Sequence, residues 1–448
     1  MAKPHLLYIA FSFPPSTASS VYRCMAVANG FVEQGWDVTV VTLSDQIWSE
    51  ISGTDTGLVQ SIDPRVKVVH VDDGGAEEPN RRDLRRYSRL RIEAPYLWKE
   101  LFRRRHRSDF PEDIHHLWFE PAMAAARTIH TGHPADLVMA SASPYISFKV
   151  ARNLGEVPYI LDYRDAWAFN TFTGAENYAV DSPHGLLEAD YLRNAHEVWF
   201  VNEPIRAEYA RRHPGAAPLM RVVPNGYDQR NGFCKTPSGE PSTGLRFGYL
   251  GTLQYTVVPL DEFLGGWDLA AARWEGPAPE AVFRGKLSPT GLVPAEVLEM
   301  FKSGRHQGLR YDGPISKREV GTFYDSVDAL LLLLPPGKYV TGGKTAEYLA
   351  TGLPIISIHD LGSAATELLK DYPLWFPARE LSAESIAQAI QDCAEAIRRA
   401  DADLWKAAWD YGQSFARNTV LIPAIDELGA QFAADKHPQG HETGGATA

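Results

Sequence analysis

Asp328-Ala-Leu-Leu-Leu-Leu-Leu-Pro-Pro-Gly-Lys-Tyr-Val-Thr-Gly-Gly-Lys-Thr-Ala-Glu-Tyr-Leu-Ala-Thr-Gly-Leu-Pro-Ile-Ile-Ser-Ile358 carries two buried strands with a glycine-rich turn between them. The apolar run before Pro335 reads as a strand covered on both faces, and Leu353-Pro-Ile-Ile-Ser-Ile reads as a second. Between them lies a loop, then a helix from about Gly343 to Thr351, stopped by Gly352. Gly342 and Gly343 let a ligand come close to the backbone. The helix start offers N–H groups to an anion, and Lys344 adds a full positive charge. Glu347, three residues on, projects from the same face. A cation beside a carboxylate suits a nucleoside diphosphate, with phosphates at Lys344 and sugar hydroxyls at Glu347. The same residues also suit an ordinary strand–helix–strand unit with a Lys–Glu surface pair.

The stretch Pro336-Gly-Lys-Tyr-Val-Thr-Gly-Gly-Lys-Thr-Ala-Glu-Tyr-Leu-Ala-Thr-Gly-Leu-Pro-Ile-Ile resembles the donor-binding helix of the retaining family 4 glycosyltransferases, which have the GT-B fold. The family places a donor-ribose Glu ahead of a small-residue–Gly–x–Pro turn, and Glu347 matches it. The family also spaces two Glu eight positions apart. Here Tyr339 stands where the first, the sugar-contacting one, would be. The chain is closest to subfamilies reading P-x-K-x-x-E-Y-x-A-x-G-x-P, which lack it too.

Length and composition fit this reading. A chain of 448 residues can build two domains with full cores. The net charge of −12 argues against general nucleic-acid binding. No apolar run approaches the roughly 18–20 residues of a membrane span. The start, Met1-Ala-Lys-Pro-His-Leu-Leu-Tyr-Ile-Ala, enters a strand with no signal-peptide pattern, so a cytoplasmic protein is expected. Cys24, Cys234 and Cys393 are too scattered for a metal site or a disulfide framework.

Read in order, His5–Phe11 is strand one. Phe13-Pro-Pro-Ser-Thr-Ala-Ser-Ser is a loop, a helix runs from about Ser19 to Gln34, and strand two begins at Trp36. This opens a Rossmann-like half. It is similar to the family's start, except that Ala18-Ser19-Ser20 replaces the usual glycines. Ser19 and Arg23 are the acceptor-side candidates here, with Arg23 equally suited to a structural role. Val66–Val71 is strand three. Arg81–Arg107 then holds ten Arg and one Lys against Asp83, Glu93 and Glu100. Leu84, Tyr87, Leu90, Leu97 and Leu101 recur at near-helical spacing, and Pro95 divides the segment into two helices. Such a basic amphipathic segment suits an anionic membrane surface or a phosphorylated acceptor, and equally a solvated face over an apolar stripe.

Strand four is Asp136–Ser141; many family members carry a His just after it, and here Ser141 and Ser143 occupy the region. Strand five runs into Asp162-Tyr-Arg-Asp-Ala-Trp, a variant of the family's N-terminal half. Arg164 and Asp165 follow its C-terminal end, where open α/β sheets bind ligands. Asp165 is the candidate to orient or deprotonate the acceptor hydroxyl; an Arg–Asp pair that merely fixes the loop fits as well. Arg221-Val-Val-Pro-Asn-Gly-Tyr-Asp resembles the segment closing the family's first domain. The second domain begins at Leu245-Arg-Phe-Gly-Tyr-Leu-Gly-Thr, with Gly251 and Thr252 on the donor side. The family follows this glycine with an Arg and a Lys for the pyrophosphate. Neither is present, so the charge falls to Lys344, then Arg284, Lys286 and Lys338.

The expected architecture is therefore α/β: residues 1–225 an acceptor domain, 226–244 a linker, 245–405 a donor domain, 406–436 a helix crossing back to the first domain, and 437–448 a disordered tail. The expected reaction moves a sugar from a nucleoside diphosphate sugar to a hydroxyl of a glycan, lipid-linked or small-molecule acceptor. The resemblance implies retention and no metal; no cofactor is expected, and Lys344 and Asp165 are the candidate catalytic residues. A nucleotide-sugar epimerase, a phosphorylase or a non-catalytic sugar-nucleotide binder are the alternatives.

Overall fold

A computed structural model describes residues 3–51, 53–107, 110, 112–227, 244–288, 293–302, 304–399 and 401–435. The expected linker lies almost wholly, and the expected tail wholly, outside them, as does Cys234.

The strands β1 (His5–Ile9), β2 (Asp37–Leu43), β3 (Lys67–Val71), β4 (Leu137–Ser141), β5 (Tyr159–Tyr163), β6 (Glu197–Phe200) and β7 (Met220–Val222) form one parallel sheet, in the order β3-β2-β1-β4-β5-β6-β7. The strands β8 (Arg246–Leu250), β9 (Glu280–Arg284), β10 (Leu309–Tyr311), β11 (Ala329–Leu333), β12 (Ile355–Ile358) and β13 (Trp375–Pro377) form a second, ordered β10-β9-β8-β11-β12-β13. It too is parallel throughout. Central strands such as β1 and β11 are apolar at nearly every position because helices cover both faces. The short edge strands β7 and β13 carry no such run.

The leucines before Pro335 become β11, and its partner β12 starts at Ile355. The helix between them is Thr345–Ala350, shorter than expected, and Gly352 ends it at φ +68°. In the first half the helix is Val21–Glu33, followed by Gly35 at φ +86°. Pro95 divides the arginine-rich segment into helices Arg89–Glu93 and Pro95–Arg105.

The end of the chain departs from the single long helix expected over 404–436. Helix Ala402–Gln413 packs beside Thr345–Ala350, and the chain then breaks before Arg417–Val420 and Ile422–Asp435. Two causes are visible. Pro423 has no N–H to continue a helix through the break. The backbone at Phe415 and Arg417 is bonded to Tyr227 instead, at 3.2 and 3.0 Å. The last helix does cross back. Leu421, Ile425 and Leu428 are buried with Val27, Phe31 and Trp36 in the core under the first sheet. A Cβ on Gly30 would lie 2.9 Å from Ile425 Cδ1, so the two helices meet in near-backbone contact. No helix among the described residues is long and apolar enough to cross a membrane.

Candidate active site

Both sheets present the C-terminal ends of their strands to the candidate site, the edge where open α/β folds bind ligands. On the second sheet, two tyrosines bring the opening stretch onto the loop after β8. The Tyr348 hydroxyl accepts from Leu250 N at 2.9 Å and donates to Leu250 O at 3.2 Å, which ties the helix Thr345–Ala350 to the end of β8. Tyr249 is buried and donates its hydroxyl to Thr252 O at 3.0 Å. Its ring lies under Lys344, with Nζ 3.8 Å from the centroid and 2.5 Å from the hydroxyl. A Cβ on Gly251 would sit 3.0 Å from Lys344 Nζ, so a side chain there would crowd the amine.

Gly251, Lys344 and the turn Gly342–Gly343 thus share one site. Gly342 has φ +70°, and a Cβ there would reach Leu334 at 2.5 Å, so the turn itself demands glycine. Gly343 is open and exposed. Thr252 is exposed beside them. Burial pushes the Lys344 amine down to about 7, with Glu347 opposing the shift. Near neutrality the site holds a cation ready to regain full charge when an anion arrives. Arg284 is a correction. Its guanidinium donates to Asp312 O, just past the end of the outer strand β10, an engagement the sequence did not foresee. Gly285 has φ +115°, and a Cβ there would come within 2.2 Å of Gly251 O, so the two loops approach closely only because it is glycine.

Glu347 is exposed and points toward the first half, where its charge helps raise the Tyr22 phenol after the larger effect of burial. The loop before Gly342 makes the junction firm. Asn202 caps the helix Glu203–Arg212 with Oδ1, while its Nδ2 donates to Tyr339 O at 3.0 Å and Thr341 Oγ1 at 2.7 Å. The Tyr339 ring lies 4.5 Å from Phe169. Gly337 has φ +141°, and a Cβ there would come within 2.4 Å of Phe172 O. Tyr339, in the place of the missing Glu, therefore holds the two halves together. A cavity of about 450 Å³ opens beside this loop, bounded by Tyr255–Glu262, Leu334, Pro336 and Asp360.

On the first sheet, Ser19 is exposed in the loop after β1, and Ser143 is exposed after β4. Arg164 is half-buried and Asp165 exposed after β5. Arg23 is a second correction: it is 4% exposed and does not face the cleft. It holds Asp162, itself 0% exposed, through Nε at 2.9–3.0 Å and Nη2 at 2.6 Å, and it also donates to Pro224 O at 3.1 Å. Sequence reasoning passed over Glu112. Its carboxylate accepts from Ile146 N at 3.0 Å and faces Ser143 Oγ at 3.4 Å, and burial raises it to about 7. Nothing in the local sequence separates it from a surface acid. Asp165 and Lys344 belong to different sheets, and no hydrogen bond or ion pair among the described residues joins them. The chain's one Asp-x-Asp triplet, Asp401-Ala-Asp403, is a helix cap: Asp401 Oδ1 accepts from the N–H groups of Asp403 and Leu404.

Residues 20–226 match the glycosyl transferase 4-like domain family. No curated protein sequence matches the chain. Among solved structures, sucrose-phosphate synthase from Thermosynechococcus elongatus superposes with a TM-score of 0.61 at 16% identity, over 97% of this chain and 100% of that one. α,α-Trehalose 6-phosphate synthase from Burkholderia multivorans gives 0.61 at 13% identity, over 100% of both chains. The Anabaena HepE protein, solved with UDP and glucose, gives 0.57 at 14% identity, over 96% of this chain and 99% of that one. At these identities the likeness is one of fold, and the fold is GT-B.

Proposed function

We propose that this chain, a GT-B protein carrying a glycosyl transferase 4-like domain over residues 20–226, moves a sugar from a nucleoside diphosphate sugar to an acceptor hydroxyl. One observation carries the reading: Lys344, from the strand–turn–helix unit, rests over Tyr249 and against Gly251 of a second loop, where the family's Arg and Lys are missing. The donor's diphosphate lies at Lys344, Gly251 and Thr252, and its sugar hydroxyls reach Glu347. The bond from the anomeric carbon to the diphosphate oxygen breaks, and charge gathers on that oxygen. Lys344 meets this charge, so it stabilises the transition state more than the bound donor. The acceptor oxygen, held on the side of Ser143, Arg164 and Asp165, forms its bond to the anomeric carbon on the same face that the diphosphate leaves, and its proton passes toward Asp165. Retention and a reaction without metal or cofactor belong to the same proposal. The structure of HepE with UDP and glucose supports a nucleotide-sugar donor only as a neighbour of the same fold.

Glu347→Gln tests the donor assignment. The side chain is exposed, so the variant folds as wild type does. A charged hydrogen bond to a hydroxyl contributes about 1.5–3 kcal/mol, so donor Kd rises by roughly tenfold or more. Titration calorimetry with the best nucleotide sugar reads this directly. An unchanged Kd removes Glu347 from the donor site.

A further inference from the structure

The arginine-rich segment is not absorbed by the donor and acceptor roles above, and the fold sorts its residues into two sets. Arg81 and Arg91 are buried and structural. Arg81 pairs with Asp73 at 3.1 Å, and Arg91 pairs with Glu78 at 3.0 Å while stacking on Tyr87 and Trp98. The rest faces outward. Nine exposed basic side chains stand against Asp83, Glu93 and Glu100. Among them, Leu84, Leu90, Ile92, Tyr96, Leu97 and Leu101 are exposed as well, Tyr96 to 89%. In a protein of net charge −12, this is a local reversal of sign combined with apolar side chains on two short helices.

We propose that the exposed face of residues 82–107 docks the protein on an anionic lipid surface, with the apolar side chains entering the headgroup region and the basic ones resting on lipid phosphates. Charge complementarity selects this occupant. A nucleic acid would leave six large apolar side chains without a use, and a neutral partner would leave the excess of basic ones without one. The segment leaves the sheet after the C-terminal end of β3, and Ser143, Arg164 and Asp165 follow the same ends of β4 and β5, three and four strands further along that edge. Docking therefore puts the lipid surface on the same edge of the first sheet as the acceptor residues. This last consequence rests on the acceptor reading above; the docking itself does not.

The test is sedimentation of the full chain with vesicles, with no nucleotide present, so failure of the donor reading cannot imitate its outcome. Vesicles of phosphatidylcholine with about 30% phosphatidylserine bind the protein, pure phosphatidylcholine binds it far less, and added salt weakens binding. Replacing Arg82, Lys99, Arg105 and Arg107 by Ser lowers the partition coefficient by roughly 10³-fold. Ile92→Ser with Tyr96→Ser and Leu97→Ser lowers it by roughly 10³-fold or more, on the order expected for three buried apolar side chains. Both variants keep the wild-type unfolding transition, since each altered side chain is exposed. Equal binding to both vesicle types, or binding unaffected by either variant, overturns the proposal. So does retention on duplex DNA but not on vesicles. A dimer in analytical ultracentrifugation that the apolar variant abolishes would show a second copy covering the face, which overturns it as well.

Discussion

Lys344→Ala lowers turnover by about 10²–10³-fold, the typical consequence of losing one group that meets charge developing on an oxygen. The helix behind it spans only Thr345–Ala350, so little of the charge can come from a helix dipole. The loop after β8 supplies Gly251 and Thr252 without a basic residue, and Arg284 is engaged with Asp312 O. On the proposed function, Lys344 thus carries alone a load that the family it resembles shares with an Arg and a Lys. The loss falls mainly on kcat, because the interaction strengthens as the diphosphate leaves. The check is steady-state turnover of the best donor and acceptor, beside an unfolding curve showing an intact fold. Turnover within threefold of wild type removes Lys344 from the mechanism.

Arg23→Ala destabilises the protein by about 3–5 kcal/mol, the usual result of removing one partner of a buried ion pair. Asp162 is then left in the core with Ser141 Oγ as its remaining side-chain donor, at 2.7 Å. The same guanidinium bonds Pro224 O, so the segment that closes the first half loosens too. Against a typical total stability of 5–15 kcal/mol this is a large share. The midpoint of urea unfolding reports it, and a shift worth less than about 1 kcal/mol would show that water or a neighbour replaces the arginine. Arg23→Lys recovers only part, because an ammonium cannot make the paired bonds to both carboxylate oxygens.

Much of the architecture was legible in the chain. Runs such as Leu330–Leu334 and Leu6–Ala10 can only be strands covered on both faces, and Gly35 and Gly352 stop helices where a positive φ is required. Pro95 divides the basic segment for an equally local reason. What was not legible depends on distance along the chain. Tyr348 reaches Leu250 across a separation of 98 positions, and Arg23 finds Asp162 across one of 139. Neither pairing leaves a mark in local pattern, so Arg23 suited a cleft role and a structural one equally. The break near Phe415 has the same origin, because Tyr227 takes the backbone groups that a continuous helix would use. Edge strands β7 and β13 are three residues each and too short to show a period. Glu347 and Lys344 could be read together as candidates because they stand three residues apart, at one helix turn.

Titration calorimetry of the wild-type protein with a panel of nucleoside diphosphate sugars, at pH 8 in two buffers of different ionisation heat, tests the central claim most directly. The donor diphosphate has no group titrating near neutrality, whereas the free Lys344 amine is held at about 7 by burial. Its depressed value means that the free site is mostly neutral at pH 8, and an anion that raises it draws in a proton. One donor is therefore expected to bind with uptake of about 0.9 proton, and its affinity is expected to fall as pH rises above about 7. In Lys344→Met the uptake vanishes and binding weakens. Donor binding with the same heat in both buffers, or the same uptake in the variant, would contradict the placement of the diphosphate at Lys344.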